Sequence, residues 1–310
     1  MPEGPEVRKY ADALHLVLAN QSITHLSART IKARQWLADN ERVLLGQEVL
    51  RVVSHGKHLI GYIEKNFYFH AHLMMWGRWQ TFAATPPEEM DRRERARIVV
   101  THGSAILYSA PIFNLGQGNP HEKVEYLDSL GPDILPYDKN FDSNEFRVRL
   151  KLKEHRQLTV GAALLDQGIV AGIGNYLRAE ILFACRIDPW KLVRELSRVE
   201  LNCLSETIPE IAERSYKMTA TALEADRERM RKNPELVYQP GREYGTRHVV
   251  FRRTNLPCLR CGDLIKQLKQ STNNSADNER ERIVYFCATC QSVRVDKDQK
   301  PVARKKALNS

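Results

Sequence analysis

The chain has 310 residues, with 47 Lys and Arg against 38 Asp and Glu, a net charge of +9 and a pI near 9.2. That length accommodates two or three modest domains rather than one core, and the basic balance favours a polyanionic partner while leaving plain solubility open. No run of about eighteen apolar residues occurs, and the opening Met1-Pro2-Glu3-Gly4-Pro5-Glu6 lacks the basic-then-apolar order of a secretory signal. No membrane partner is therefore expected, and a reducing, intracellular setting is.

In chain order, Val7, Tyr10, Ala11, Leu14, Val17 and Leu18 recur at helical spacing, which predicts an amphipathic helix from Pro5 to Asn20. Runs of β-formers follow at Val49 to Ser54, Leu59 to Ile63, Phe67 to Leu73, Ile98 to Thr101 and Ile106 to Tyr108, separated by Gly, Asn, Asp and Pro. Residues 1–130 thus read as a helix plus a β-sandwich or a barrel. The Pro-rich stretch Gly131-Pro132-Asp133-Ile134-Leu135-Pro136 interrupts both periodicities, so 131–140 reads as a linker. Helical patterns at Glu145 to Lys153, Ala162 to Asp166, Asn175 to Cys185 and Ser197 to Arg231 make 141–243 a helical domain. Residues 244–291 hold two Cys pairs. Residues 292–310 carry Lys297, Lys300, Arg304, Lys305 and Lys306 with almost no large apolar side chains, and read as a disordered basic tail. The class expected is α+β with several domains, ending in a four-Cys finger.

The most specific local signal is Cys258-Leu259-Arg260-Cys261 followed, after the 25 residues 262–286, by Cys287-Ala288-Thr289-Cys290. Two such pairs present four thiolates tetrahedrally, which fills the coordination shell of one zinc ion and leaves no position for a substrate. A structural role for the metal follows, with the polar centre Gln270 to Glu281 as an extended hairpin tip. Cys185 and Cys203 lie in helical patterns and read as ordinary buried thiols.

A second signal runs from Leu164-Leu165-Asp166-Gln167-Gly168 through Gly172-Ile173-Gly174 to Asn175-Tyr176-Leu177-Arg178. A helix ending near Gly168, a glycine-bearing turn and a helix starting at Asn175 would aim amides and the Asn side chain at a phosphate. A plain helix hairpin with glycine caps needs the same residues. The third signal is the terminus. Loss of Met1 would expose the secondary amine of Pro2, and an α-amino group titrates near about 7.7 to 8, so a usable fraction is nucleophilic at neutral pH. Glu3 stands beside it as a proton donor. Pro-Glu-Gly-Pro-Glu serves equally as a rigid acidic helix lead-in. His70 and His72 alternate with apolar residues, have no second half of a metal site and read as structural.

These signals occur together and in order. The opening Pro2-Glu3-Gly4-Pro5-Glu6-Val7, the Gly56-Lys57 pair after a β-run, the Leu-Leu-Asp-Gln to Gly-Asn-Tyr-Leu-Arg block and the terminal four-Cys finger resemble the formamidopyrimidine-DNA glycosylase and endonuclease VIII family over about residues 2–291. The resemblance implies a bifunctional base-excision enzyme, a glycosylase and abasic-site lyase acting on duplex DNA that carries oxidised bases or abasic sites. Pro2 matches the Schiff-base nucleophile and Glu3 the acid. Lys57 matches the hairpin lysine of the elimination step, Asn175 the phosphate-binding asparagine of the helix-two-turn-helix motif, and Arg282 the finger arginine. Met74 to Trp76 align with the segment that fills the gap left by a flipped base, with Met75, beside Met74, as the candidate wedge.

Within that family the run Tyr108-Ser109-Ala110 and the absence of Arg from Ser109 to Asn114 resemble the endonuclease VIII branch, and oxidised pyrimidines are the expected lesions. Ser129, Met74 and the long finger insert depart from that branch, which keeps an oxidised-purine preference as the alternative. The resemblance also implies a monomer in a bacterial cytoplasm, nucleoid-associated when acting, that needs one structural zinc and no organic cofactor. The rival from another class is a DNA-binding zinc-finger protein without catalysis, which needs no free Pro2 amine. Charge alone also fits an RNA-associated zinc ribbon.

Overall fold

The computed structural model describes residues 2–84, 91–238, 241–272 and 281–293. Met1, the centre of the finger insert and the expected basic tail from residue 294 onward lie outside the described residues. The chain divides into two compact units, Met1–Phe141 and Asp142–Ser310.

In the first unit, α1 (Gly4–Leu18) opens on Pro5, whose missing N–H costs nothing in a first turn, and buries the stripe Val7, Ala11, Leu14 and Leu18. It ends short of the expected Asn20, which takes a left-handed φ of 58°. Then come β1 (Gln21–Ala28), α2 (Ile31–Leu44), β2 (Glu48–His55), β3 (His58–Ile63), β4 (Phe67–His72), β5 (Arg78–Phe82), β6 (Glu94–Val100), β7 (Gly103–Tyr108), β8 (Ile112–Gln117) and the short α3 (Pro120–Lys123). The expected β-runs fall in strands except for their last residues Leu73 and Thr101, and β1, α2, β5, β8 and α3 are additions.

The strands form one antiparallel ladder ordered β5-β7-β6-β1-β2-β3-β4-β8. β1 turns its corner, since Gln21 and Ser22 pair with β2 whereas Ile23 to Ala28 pair with β6. The two ends then meet face to face. Phe69 of β4 lies 6.2 Å, centroid to centroid, from Trp79 of β5, and Trp79 lies 6.2 Å from Phe113 of β8. Aromatic contact between opposite ends of one ladder folds it into the expected sandwich, with the core between its halves.

The second unit holds α4 (Ser143–Leu150), α5 (Val160–Ala163), α6 (Asn175–Ala184), α7 (Arg198–Met218) and α8 (Glu224–Lys232), then the hairpin β9 (Lys266–Ser271) and β10 (Glu281–Phe286). Ser197 starts α7 with a reciprocal cap: its Oγ accepts the Glu200 amide at 3.2 Å and the Glu200 carboxylate accepts the Ser197 amide at 2.8 Å. The single helical pattern expected from Ser197 to Arg231 is two helices, because Thr219 turns left-handed at φ 56° and ends α7. Cys185 and Cys203 are also not separate buried thiols. They are half-exposed and joined by a disulfide, their Cα atoms 5.8 Å apart, because α6 packs along α7 and brings the two positions within bridging distance. Among the described residues no helix is long and apolar enough to cross a membrane.

Candidate catalytic and nucleic-acid-binding sites

At the start of the first unit, half-buried Pro2 leads into Glu3, which is 2 % exposed and caps α1. The Glu6 carboxylate accepts the Glu3 amide at 2.9 Å, so the residue after Pro2 has a fixed backbone. α1 packs along β2 and β3, the two strands whose connection carries Lys57. That connection is a two-residue hairpin closed by the pair His55 and His58. Gly56 takes φ 55° and Lys57 does not, so glycine is needed at the first loop position and Lys57 falls at the second. Lys57 is 9 % exposed.

The stretch expected as a linker braces both elements. Asp133 accepts the Leu135 amide at 3.0 Å and also the Gly56 amide, while His55 Nε2 donates to the Gly131 carbonyl at 3.1 Å. Tyr137 lies 3.2 Å beneath the Arg8 guanidinium of α1, and its hydroxyl accepts the Ser54 amide of β2 at 3.2 Å and donates to Asp12 at 3.3 Å. Pro-rich sequence here means an irregular path, packed rather than loose.

Three imidazoles line one face of β3 and β4. His58 Nδ1 and His70 Nε2 share a hydrogen bond of 3.0 Å, and Asn114 of β8 reaches His70 Nδ1 at 3.3 Å. Burial pushes His58 down to about 2, His70 to about 3 and His72 to about 4, with Lys57 adding to the effect on His58 and His72. All three are neutral at physiological pH. The sequence reading passed over His58, whose signal was its place directly after the Gly-Lys pair.

Beyond His72, Leu73 to Gly77 form a tight turn closed by the Gly77 amide on the Leu73 carbonyl at 2.8 Å. A Cβ on Gly77 would sit 2.4 Å from that carbonyl oxygen, so no other residue fits. The turn presents Met74, Met75 and Trp76 to solvent at 43, 61 and 79 % exposure. Three consecutive large apolar residues on a turn with no core to cover them invite an apolar partner such as a base stack.

In the second unit, the two turns before α6 are stitched by side chains. Asp166 accepts the Gly168 amide at 2.8 Å, and Gln167 bonds the Leu165 carbonyl, the Ile173 carbonyl and the Gly172 amide at 2.8, 3.1 and 3.0 Å. This places Asn175 at the first position of α6, beside amides that favour an anion. Arg178, fully buried, donates to Asn175 Oδ1 at 3.2 Å, Gln270 Oε1 at 3.1 Å and the Ile283 carbonyl at 2.8 Å. The Asn175 oxygen is thereby turned inward and its amide nitrogen is the group left to donate. Ile283 is next to exposed Arg282 in β10, so one guanidinium ties Asn175 to the strand that carries Arg282. Glu180 of α6 accepts the amides of Val249, Val250 and Phe251 at 2.9, 2.8 and 2.8 Å, anchoring the segment that leads into the finger. Arg178 and Glu180 were missed as functional supports, although both stand in the run that begins at Asn175.

The four finger cysteines converge, their sulfurs all within 4.8 Å of one another. The Cys258–Cys290 and Cys261–Cys287 separations of 3.8 and 3.5 Å lie close to the edge of about 3.8 Å that a tetrahedron with metal–sulfur bonds of about 2.3 Å requires. The Arg260 amide points at Cys258 Sγ at 3.4 Å and the Cys290 amide at Cys287 Sγ at 3.5 Å. Burial raises the Cys287 thiol and pushes Cys290 up to about 11, so these two sulfurs are thiolates only with a cation beside them. Among the described residues no other group of three or more His, Cys, Asp or Glu is spaced to hold a metal.

Residues 1–111 match the formamidopyrimidine-DNA glycosylase N-terminal domain and residues 130–226 the formamidopyrimidine-DNA glycosylase H2TH domain. The chain is 30 % identical over 294 residues to Endonuclease 8 of Pectobacterium atrosepticum, covering 94 % of this chain and all of the relative. It is 29 % identical over 291 residues to Endonuclease 8 of Pectobacterium carotovorum, with the same coverage. In fold it is similar to a complex between Lactococcus lactis Fpg and abasic-site DNA, at a TM-score of 0.72 and 22 % identity, covering 94 % of this chain and all of that one.

Proposed function

The chain belongs to the formamidopyrimidine-DNA glycosylase and endonuclease VIII family, and from that premise we propose that it is a base-excision repair glycosylase and abasic-site lyase that removes oxidised pyrimidines. The single observation that carries the reading is the buried acid Glu3 fixed behind Pro2 on the helix that packs along the Lys57 hairpin strands.

The Pro2 amine, freed by loss of Met1, attacks C1′ of a nucleotide rotated out of the duplex, while Glu3 protonates the opening sugar or the departing base. The C1′–N bond breaks and an iminium to Pro2 remains. That positive nitrogen acidifies the C2′ hydrogen; its removal expels the 3′ phosphate, and a second elimination expels the 5′ phosphate, leaving a one-nucleotide gap. Lys57 serves the eliminations and, with Asn175 and Arg282, holds the flanking phosphates. Met74 and Met75, with Trp76 beyond them, fill the space the lesion leaves, offsetting unstacking that costs a few kcal/mol. Cys258, Cys261, Cys287 and Cys290 would hold one zinc ion, which keeps the β9–β10 hairpin folded and takes no part in the chemistry. On this reading the protein acts as a monomer in a bacterial cytoplasm; the relatives named above come from bacteria.

The pyrimidine assignment rests on Tyr108-Ser109-Ala110 and on Ser109 to Asn114 carrying no arginine. Single-turnover cleavage of duplexes bearing thymine glycol, 5-hydroxyuracil or 8-oxoguanine tests it. Faster release of both pyrimidines is expected, and equal or faster release of 8-oxoguanine overturns it.

A further inference from the structure

The proposed chemistry gives the buried imidazoles of the first unit no task, yet they lie between the Met74–Trp76 turn and the hairpin that carries Lys57. We infer that His72 is a positioning residue that couples the exposed Met74–Trp76 turn to the hairpin carrying Lys57, so that seating the turn in DNA and aligning the lysine are one event. The inference rests on the function proposed above.

His72 ends β4 and makes a contact on each side. Toward the turn, its Nδ1 accepts the Met74 amide at 3.2 Å. A backbone amide can only donate, so Nδ1 carries the lone pair and Nε2 the proton of the neutral ring. The bond has a purpose, because Met74 takes a left-handed φ of 52°, a conformation unfavourable for a non-glycine residue that persists only when its surroundings impose it. Toward the catalytic side, His72 stands opposite His58 in the β3–β4 register, and its ring meets the His58 ring at 4.8 Å and 67°. His58 is the residue directly after Lys57.

The far side of His58 is anchored. His70 stacks on it at 5.3 Å and 21°, bonds its Nδ1, and is itself held by Asn114. The turn's own closure, Gly77 onto Leu73, makes it a rigid lever rather than a loose loop. Pressure on Met75 or Trp76 is therefore transmitted through the Met74 backbone to His72, and from its ring to the first residue of β3. Burial holds His72 at about 4, which keeps the accepting lone pair present across the physiological range.

Two variants divide the contacts. His72→Phe keeps a ring against His58 and removes the acceptor; His72→Asn keeps an oxygen able to accept the amide two residues on, as Asn does in Asx turns, and removes the ring. Turn insertion is read by 2-aminopurine fluorescence beside an abasic-site analogue, and elimination by single-turnover cleavage of abasic DNA at saturating enzyme. His72→Phe should slow both steps about tenfold, whereas His72→Asn should insert within about twofold of wild type and still eliminate about tenfold slowly, with DNA affinity little changed in either. Wild-type rates in both variants overturn the inference alone. So does a loss of both rates that only follows the fraction of folded protein, since a structural imidazole would do that. A wild-type protein that neither inserts nor eliminates overturns the enzyme reading and the inference with it.

Discussion

In the first unit the proposed functional residues are placed by the backbone, with Glu3 at a helix cap, Lys57 in a two-residue hairpin that favours glycine at position 56, and Met74 to Trp76 on a turn that demands Gly77. In the second unit Asn175 and the strand of Arg282 are held instead by side chains, chiefly the buried guanidinium of Arg178, and by a cluster of four sulfurs. Backbone-placed groups should tolerate changes around them while failing when a turn glycine changes. Network-placed groups should fail together when one member is lost.

The largest effect expected is on the finger. Chelation, or Cys287→Ser, should unfold the β9–β10 hairpin, because the metal contributes on the order of 10 kcal/mol to small zinc domains, and should abolish tight DNA binding. Loss of near-ultraviolet signal and of gel-shift affinity would check it, while the first unit keeps its cooperative melt. Next comes Arg178→Met. With the Arg178 donors removed from Asn175 Oδ1, Gln270 Oε1 and the Ile283 carbonyl, the second unit should lose about 3 kcal/mol in urea, and the salt dependence of DNA binding should flatten by about one to two phosphates. A variant that weakens only one of the two phosphate grips would contradict the network account.

For the first unit, Gly77→Val should cost about 2 kcal/mol and abolish insertion of the turn, whereas Trp76→Ala at the neighbouring position should leave stability within about 0.5 kcal/mol. The smallest effect concerns pH. The folded values of about 2, 3 and 4 for His58, His70 and His72 lie below the ordinary 6.5, so on acidification the unfolded chain takes up protons first. The stability these groups permit is full above about pH 6.5 and is lost as pH falls toward the folded values. His58→Phe removes one such proton, and its deficit relative to wild type should shrink by about 1 kcal/mol between pH 6.5 and 5.5. A constant deficit would mean that His58 is charged in the folded state.

What could be read from the sequence follows the same division. Runs of β-formers between turn residues exposed the strands around Lys57, the Gly-Lys pair marked its hairpin, and cysteine spacing marked the finger. α2 escaped because only Ala33, Leu37 and Leu44 of its fourteen residues are buried and the rest of its surface is polar. The brace at Asp133 and Tyr137 was hidden by composition, since Gly and Pro announce an irregular path and say nothing of whether it packs. Arg178 and Glu180 carried no signal of burial in the sequence, because only the hairpin and loop packed on α6 bury them. Cys185 and Cys203 could not be paired from a separation of 18 residues, because their meeting depends on how α6 lies along α7.

The account stands on the amine of Pro2. Borohydride reduction of the protein mixed with abasic-site DNA, followed by peptide mapping of the adduct, tests this directly. The sugar remnant should be found on Pro2 as the first residue of the chain, with no Met1 before it, and Pro2→Gly should greatly reduce the yield. An adduct mapped to Lys57, or a chain that still begins with Met1 and yet is trapped, would contradict it.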